Sequence, residues 1–346
     1  MLNTLIVLSE SEFRLHTLRN SEIPVGFTHS GNCHADDVLA AYLYSLYCLL
    51  ALNQKITYIV RLSEAPSMEE LGINDIVFDL GGKFDNRKYF DHHQTGGPGI
   101  SRKNNIPYSS VGLIWRRFGH EIVQKLLKLY RFENLDENQI WCLIDGRLIQ
   151  PIDAIDNGLS LKESGEQSVC NRLSLSKVIG MCNNTYPGEI AQENENFESA
   201  LFIFDIVFNN FFKAAISSVN AFYTANENID LKSSNGNVIV FKEHQSWKDW
   251  MFSSENYDKL KTVKFVAFPN PERNVFEWVA VYDRVTGENR AIAPAEWRGK
   301  TQEEDGELEK VSGVPDAVFC HKEGFIGGAR TKEGCLRMID IMLRTG

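Results

Sequence analysis

The chain has 346 residues, 43% of them apolar, which is enough for a sizeable core and more than one average domain needs, so two domains are expected. Its 46 acidic against 36 basic side chains give a formal charge of -10, the wrong sign for gripping long nucleic acid through a broad basic face, so any phosphate-bearing ligand must be attracted locally. The seven cysteines, Cys33, Cys48, Cys142, Cys170, Cys182, Cys320 and Cys335, are scattered and never spaced CxxC, which argues against a disulfide framework or a four-cysteine zinc site and fits reduced thiols inside a cell.

The N-terminal stretch lacks a basic start and carries Glu10 and Glu12, so an export leader is not expected. From Gly26 onward, short apolar runs alternate with helical patterns: "IPVGFT" (23–28), a helix over 37–52, "ITYIVRL" (56–62), "DIVFDLGG" (75–82) and "KYFDHH" (88–93). That order predicts an α/β domain with a parallel sheet and crossover helices. The apolar run from Val38 to Leu52 is too short for a membrane span and reads as a buried helix, so a soluble intracellular protein is expected, cytoplasmic or, in a eukaryote, nuclear or mitochondrial. Residues 109–130 read as a helix or helix pair broken at Gly119, and 137–149 as a further helix that Pro151 interrupts before "IDAIDNG" (152–158).

The polar stretch 181–195 has the composition of a boundary, and beyond it Phe197, Leu201, Phe204, Phe208, Phe211, Ala215, Val219 and Phe222 mark one long amphipathic helix. Strands follow at 237–243, 262–270 and 275–283, then an acidic loop or helix start (301–310), a strand (317–321), a glycine turn "GFIGG" (324–328) and a closing helix (331–343). The expected layout is an α/β domain over 1–195, a connecting helix over 196–229 and a smaller α+β domain over 230–346.

Four of the eight histidines, His29, His34, His92 and His93, fall within 65 residues, each close to an aspartate. A lone loop histidine is usually solvated or hydrogen-bonded. The set reads differently, because aspartates gathered at strand ends repel one another unless a divalent cation neutralises them. In open α/β sheets the carboxyl ends of strands are where ligands collect, and His29, Asp79 and Asp91 each fall at such an end. Asp79 precedes two glycines that allow close approach to the backbone, and His92 and His93 on an extended chain would point to opposite faces and do different jobs. In "GFIGGAR", two glycines and Arg330 before a helix could cradle an anion.

"DHH" at 91–93, downstream of a His/Asp loop and a separate strand-end aspartate, resembles the DHH phosphoesterase superfamily of manganese-dependent phosphatases and exonucleases. More closely, "HSGNCHADDVLA", "VFDLGGKFD", "YFDHHQ", "SSVGLIWRRFG", "IDAIDNG", "PAEWRG" and "GFIGGARTKEG" resemble in order the Myg family of exonucleases. The resemblance implies a two-domain phosphoesterase in which a second domain closes over a binuclear site. His29 and His34, the latter where most of the superfamily has an aspartate, would hold one ion, and Asp36 and His92 the other. Asp79 would bridge, and Asp156, taken over Asp153 because it abuts the "NG" turn, would complete the second. His93 would contact the scissile phosphate, and Asp79, His93 and Asp37 form the implied catalytic set. Two ions would activate a shared water for in-line displacement at phosphorus. Nitrogen and oxygen ligands without thiolate favour Mn²⁺, with Mg²⁺ or Co²⁺ as alternatives. Gly327, Gly328 and Arg330, with Arg298 or His321, would bind substrate. The implied activity is 3′-to-5′ trimming of short single-stranded RNA by a monomer or dimer without a membrane partner; the rivals are a small-nucleotide phosphatase or pyrophosphatase and a non-catalytic, metal-stabilised RNA-binding module.

Overall fold

A computed structural model describes residues 5–15, 22–159, 173–186, 192–233, 235–253, 255–284, 286–302 and 307–345. Cys170, residues 187–191 of the polar boundary and residues 303–306 of the acidic loop lie outside the described residues. The chain forms two units, 1–216 and 217–346, so the division falls inside the long helix rather than on either side of it.

The first unit is built on a five-stranded, wholly parallel sheet in the order β1-β3-β2-β4-β5. Its strands are β1 (Leu5–Ser9), β2 (Val25–His29), β3 (Thr57–Leu62), β4 (Ile76–Phe78) and β5 (Tyr89–Phe90). Phe27, Ile59, Val60, Val77, Phe78 and Phe90 are buried in it, as near-continuous apolar strands covered on both faces require. Sequence periodicity passes over β1, a five-residue edge strand ahead of the first recognised run, because so short a segment carries little pattern of its own. A short helix α1 (Glu10–Leu15) follows it, and α2 (Ala35–Leu50) and α3 (Ser110–Tyr130) pack against each other.

Helix α2 starts two residues earlier than the sequence pattern places it, which moves Asp36 from the preceding loop into the first turn beside Asp37. Acidic side chains suit that position, where unpaired N–H groups concentrate positive potential. Helix α3 is unbroken through Gly119: a Cβ there would lie 2.6 Å from Trp115 and 2.7 Å from Trp141, so the glycine admits two stacked indoles and is not a break. Pro151 does not end the next helix either. Helix α4 (Glu137–Ile144) passes through a π turn at Asp145–Ile149 into α5 (Gln150–Asp156), and Pro151, in the first turn of α5, sits where its missing N–H is tolerated.

Helix α6 (Leu175–Met181) precedes α7 (Glu193–Asn228). By length and composition α7 could also cross a membrane, yet Phe197, Phe204, Phe208 and Phe212 are buried, and Tyr42 of α2 donates to Asp205 at 3.0 Å.

The second unit carries a mixed six-stranded sheet, ordered β12-β13-β9-β8-β7-β6. The strands are β6 (Ile229–Lys232), β7 (Val238–Phe241), β8 (Phe265–Asn270), β9 (Val275–Ala280), β12 (Ala317–Cys320) and β13 (Ile326–Ala329), with a separate ribbon of β10 (Tyr282–Asp283) and β11 (Glu288–Asn289). Short helices α8 (Trp247–Met251), α9 (Tyr257–Leu260) and α10 (Glu307–Ser312) connect them, and α11 (Lys332–Thr345) buries Cys335, Met338, Ile339 and Met342 in the core. The expected "GFIGG" turn is corrected here: Gly327 and Gly328 lie within β13, paired on both sides, so their backbone donors face the ladder. A Cβ at Gly327 would lie 2.5 Å from Trp278 and 2.7 Å from the Phe319 carbonyl, which is why glycine stands there.

Candidate functional site

Every predicted metal-site side chain of the first unit sits at the carboxyl edge of the parallel sheet or at a helix end facing it. His29 closes β2; Asp79 follows β4; Asp91, His92 and His93 follow β5; His34, Asp36 and Asp37 open α2; Ser110 opens α3; and Asp156 ends α5. Asp79 has a φ of 53°, a left-handed conformation that short polar side chains tolerate better than bulky ones, and Ser110 Oγ donates to its Oδ1 at 3.1 Å.

Three overlapping groups have ligand atoms within 4.8 Å of one another: His29, His34 and Asp79; Asp36, His92 and Asp156; and Asp79, Asp91, His92 and His93. His29 Nε2 lies 3.1 Å from Asp37 Oδ2 and 3.4 Å from Asp79 Oδ2. His92 spans the two sides, with Nε2 2.9 Å from Asp156 Oδ2 and Nδ1 3.8 Å from Asp79 Oδ1. His93 Nδ1 is 2.8 Å from Asp91 Oδ1. His29, His34, Asp79, Asp91, His93 and Asp156 line a cavity of about 670 Å³ together with Ser176 and Gly180 of α6.

The opposite-face expectation for His92 and His93 is corrected. Their ring centroids are 4.1 Å apart, because β5 has ended at Phe90 and both backbone N–H groups turn in to donate to Asp91 Oδ1. Their settings still differ: His92 is buried, whereas the His93 side chain is 61% exposed.

The electrostatics show what the cluster lacks. Asp36 is fully buried and neither carboxylate oxygen has a hydrogen-bond donor, a costly arrangement for a charge unless a cation meets it. Burial first, and then Asp79, Asp156 and Asp37, hold its pKa well above the carboxylate range. Burial also raises Asp37, against a lowering by His29. For His29, burial opposes the charged imidazole, but Asp37 and Asp79 outweigh it and push the pKa up to about 11. His92 is likewise raised, burial being outweighed by Asp156, whose own pKa His92 lowers against the effect of burial. Without a cation the cluster relieves its negative charge by holding protons, on His29 and His92 as imidazolium and on Asp36 as the neutral acid. The donors are nitrogen and oxygen, and Cys33, buried with its thiol pushed up to about 12 chiefly by burial, belongs to none of the groups among the described residues. Such a set fits divalent cations of the Mn²⁺ or Mg²⁺ kind.

The two aspartates of "IDAIDNG" are separated by their partners. Asp153 accepts from Ser109 N–H at 3.0 Å, Ser109 Oγ at 2.7 Å and Gly112 N–H at 3.1 Å, and pairs with Arg102 at 2.5 Å. It is engaged in holding the start of α3, and Asp156 faces His92 and Asp36. Asp37, assigned to the catalytic set by resemblance, is fully buried; Oδ1 accepts the His34 N–H at 2.8 Å and Oδ2 faces His29 Nε2 at 3.1 Å, so it contacts both histidines of the loop.

Sequence reasoning placed Asp91 at a strand end without a specific role and passed over Ser110. Asp91 is buried and accepts from Gly82, His92 and His93 N–H groups as well as facing His93 Nδ1, tying the two strand-end loops together. The "DHH" triplet and the "SSVG" block contained both signals. In the second unit, Arg298 Nε donates to the Ala293 carbonyl at 2.9 Å, His321 accepts from Glu323 N–H and lies tilted against the Phe325 ring, and Arg330 donates to Gln302. With Gly327 and Gly328 inside a strand, these residues do not form the expected glycine cradle.

The first unit is thus a parallel α/β unit whose strand ends carry a buried histidine–carboxylate cluster that could hold a divalent cation. The chain belongs to the MYG1_exonuc family, whose model, described as an uncharacterised protein family (UPF0160), matches residues 26–343. It is 30% identical to a MYG1 protein of Dictyostelium discoideum over 90% of this chain and 94% of that one, and 28% identical to a MYG1 protein of Schizosaccharomyces pombe over 90% and 94%. It is 27% identical to the MYG1 exonuclease of Bos taurus over 90% and 82%. The resemblance drawn from the seven ordered motifs is borne out.

Proposed function

We propose that the chain is a divalent-cation-dependent phosphodiesterase that trims short RNA from its 3′ end. The relative named an exonuclease supports the reaction class, and the observation that carries the reading is the buried Asp36 carboxylate with no donor on either oxygen, surrounded by His92, Asp156 and Asp79. His29, His34 and Asp79 would hold one cation, and Asp36, His92, Asp156 and Asp79 the other, Mn²⁺ being favoured by the nitrogen and oxygen donors. Such a pair, when bound, supplies Lewis acidity toward phosphate oxygens and lowers the pKa of water.

The chain's own residues do the rest. The Ser30 carbonyl, 2.9 Å away, meets His29 Nδ1 and orients the ring, which leaves Nε2, on the side of Asp37 and Asp79, as the nitrogen that would hold the cation. Asp91 engages His93 Nδ1, which leaves Nε2 to meet a phosphate oxygen or to deliver a proton to the leaving group. The cavity of about 670 Å³ lies within the range of about 300–1,000 Å³ for small-ligand sites, which suits a chain end better than a duplex. The net charge of -10 agrees with an end-bound substrate held locally.

The test is hydrolysis of 5′-labelled RNA and DNA oligonucleotides, mononucleotides and pyrophosphate with Mn²⁺ and with EDTA. Stepwise shortening of RNA from the 3′ end, abolished by EDTA and by Asp79→Asn, is expected. Turnover confined to mononucleotides or pyrophosphate, or RNA bound without cleavage, would refute it.

A further inference from the structure

His29 and His34 belong to the same cation group but are carried by a loop that contains Gly31 at a φ of 89° and has little internal bonding. Backbone N–H and C=O groups in such a loop need outside partners. The Gly31 N–H donates to Glu193 Oε2 at 2.7 Å, and the Gly31 carbonyl accepts from Arg61 Nη2 at 2.6 Å. The Cys33 N–H donates to Asn183 Oδ1 at 2.9 Å, and the Cys33 carbonyl accepts from Asn183 Nδ2 at 2.8 Å. Both polar backbone groups of alternate residues are therefore pegged by side chains remote in sequence.

The pegs are themselves anchored. Arg61 is 2% exposed, donates to the Glu193 carbonyl at 3.0 Å and lies over the Phe197 ring at 4.9 Å. Asn183 Nδ2 also donates to the Gly180 carbonyl at 3.2 Å, tying the loop to the end of α6, the helix whose Ser176 and Gly180 line the cavity. None of Arg61, Asn183 and Glu193 belongs to the ligand groups, so any influence on a cation runs through the loop.

We infer that Asn183 and the Arg61–Glu193 pair are positioning residues that fix the loop from His29 to His34 and thereby set the affinity of the cation position formed with Asp79. The inference rests on the cation-dependent reading above. Residues that orient ligands are worth about 10- to 100-fold in metal affinity. Relaxing one peg removes none of the six donor side chains but lets the imidazoles of His29 and His34 drift from their present 5.4 Å ring separation.

Mn²⁺ binding to the full chain, followed by electron paramagnetic resonance of free Mn²⁺ and by calorimetry, tests it on wild type, Asn183→Ala, Glu193→Ala and Glu193→Gln. Expected are two Mn²⁺ on wild type and a loss of about tenfold or more at one position only in Asn183→Ala and Glu193→Ala. Glu193→Gln, which retains an oxygen for the Gly31 N–H, should restore most of the affinity. Should Asn183→Ala fail to fold, the Glu193 pair decides, since that side chain is 48% exposed. Alanine variants within twofold of wild type at both positions overturn the inference alone; a wild type that takes up no Mn²⁺ overturns the cation-dependent reading along with it.

Discussion

Replacing Asp36 with asparagine should stabilise the cation-free protein and destabilise it relative to wild type once cation is added. Wild-type Asp36 has no exposed surface and no donor to either oxygen, and an unsatisfied buried polar group costs about 1–3 kcal/mol, more when charged. Asparagine is neutral without the proton that burial and the nearby Asp79, Asp156 and Asp37 force Asp36 to take up, its volume is nearly unchanged, and its amide can donate to a neighbouring carboxylate. A gain of about 1–3 kcal/mol in a unit of 216 residues corresponds to roughly 2–12 °C in melting temperature. With Mn²⁺ at a hundred times its dissociation constant, wild type gains about 2.7 kcal/mol per cation while the variant forfeits the contribution of this position. Scanning calorimetry in EDTA and in MnCl₂ would read both orders. A variant less stable than wild type in EDTA, or one stabilised equally by Mn²⁺, would refute the assignment of Asp36 as an uncompensated ligand.

In the cation-free protein His29 is raised from 6.5 to about 11, so the folded state binds the extra proton across that interval and stability should fall as pH rises from about 6.5 toward 11; a melting temperature that climbs over this range would contradict it. Added Mn²⁺ should stabilise more at the upper end, because the same ligands must lose their protons to bind. Asp153→Ala should cost about 3–5 kcal/mol by leaving buried Arg102 short of a partner, whereas Asp156→Asn should melt near wild type and lose hydrolysis; a reversal of these two in calorimetry and assay would move the ligand to Asp153. Gly119→Ala should lower the melting temperature although alanine favours helices by about 1 kcal/mol, since its methyl meets both Trp115 and Trp141 inside 3 Å; denaturation showing a net gain would mean that the indoles move aside freely.

Much of the first unit could be read from the chain alone, because alternation of apolar runs with helical periods is a local property and parallel sheets follow from it. The His/Asp loop, "FDLGG" and "DHH" were legible because unusual residues crowd at strand ends, where the backbone stops and side chains converge. Local patterns misled where packing overrides propensity: Gly119 is set by two indoles, Pro151 is accommodated by a π turn, and Gly327 lies in a strand against Trp278.

Sequence by itself determined the fold class, the family and the chemical character of the cluster, since these depend on residue types and their order. Only tertiary structure decided that Asp156 rather than Asp153 faces His92, that Asp37 is a buried contact of both loop histidines, that Asp91 binds two loops and that Asn183 and Glu193 hold the first histidines. Those distinctions turn on which partner each polar group finds at a distance along the chain, from 30 residues for Gly31–Arg61 to 162 for Gly31–Glu193, and no local window contains that information.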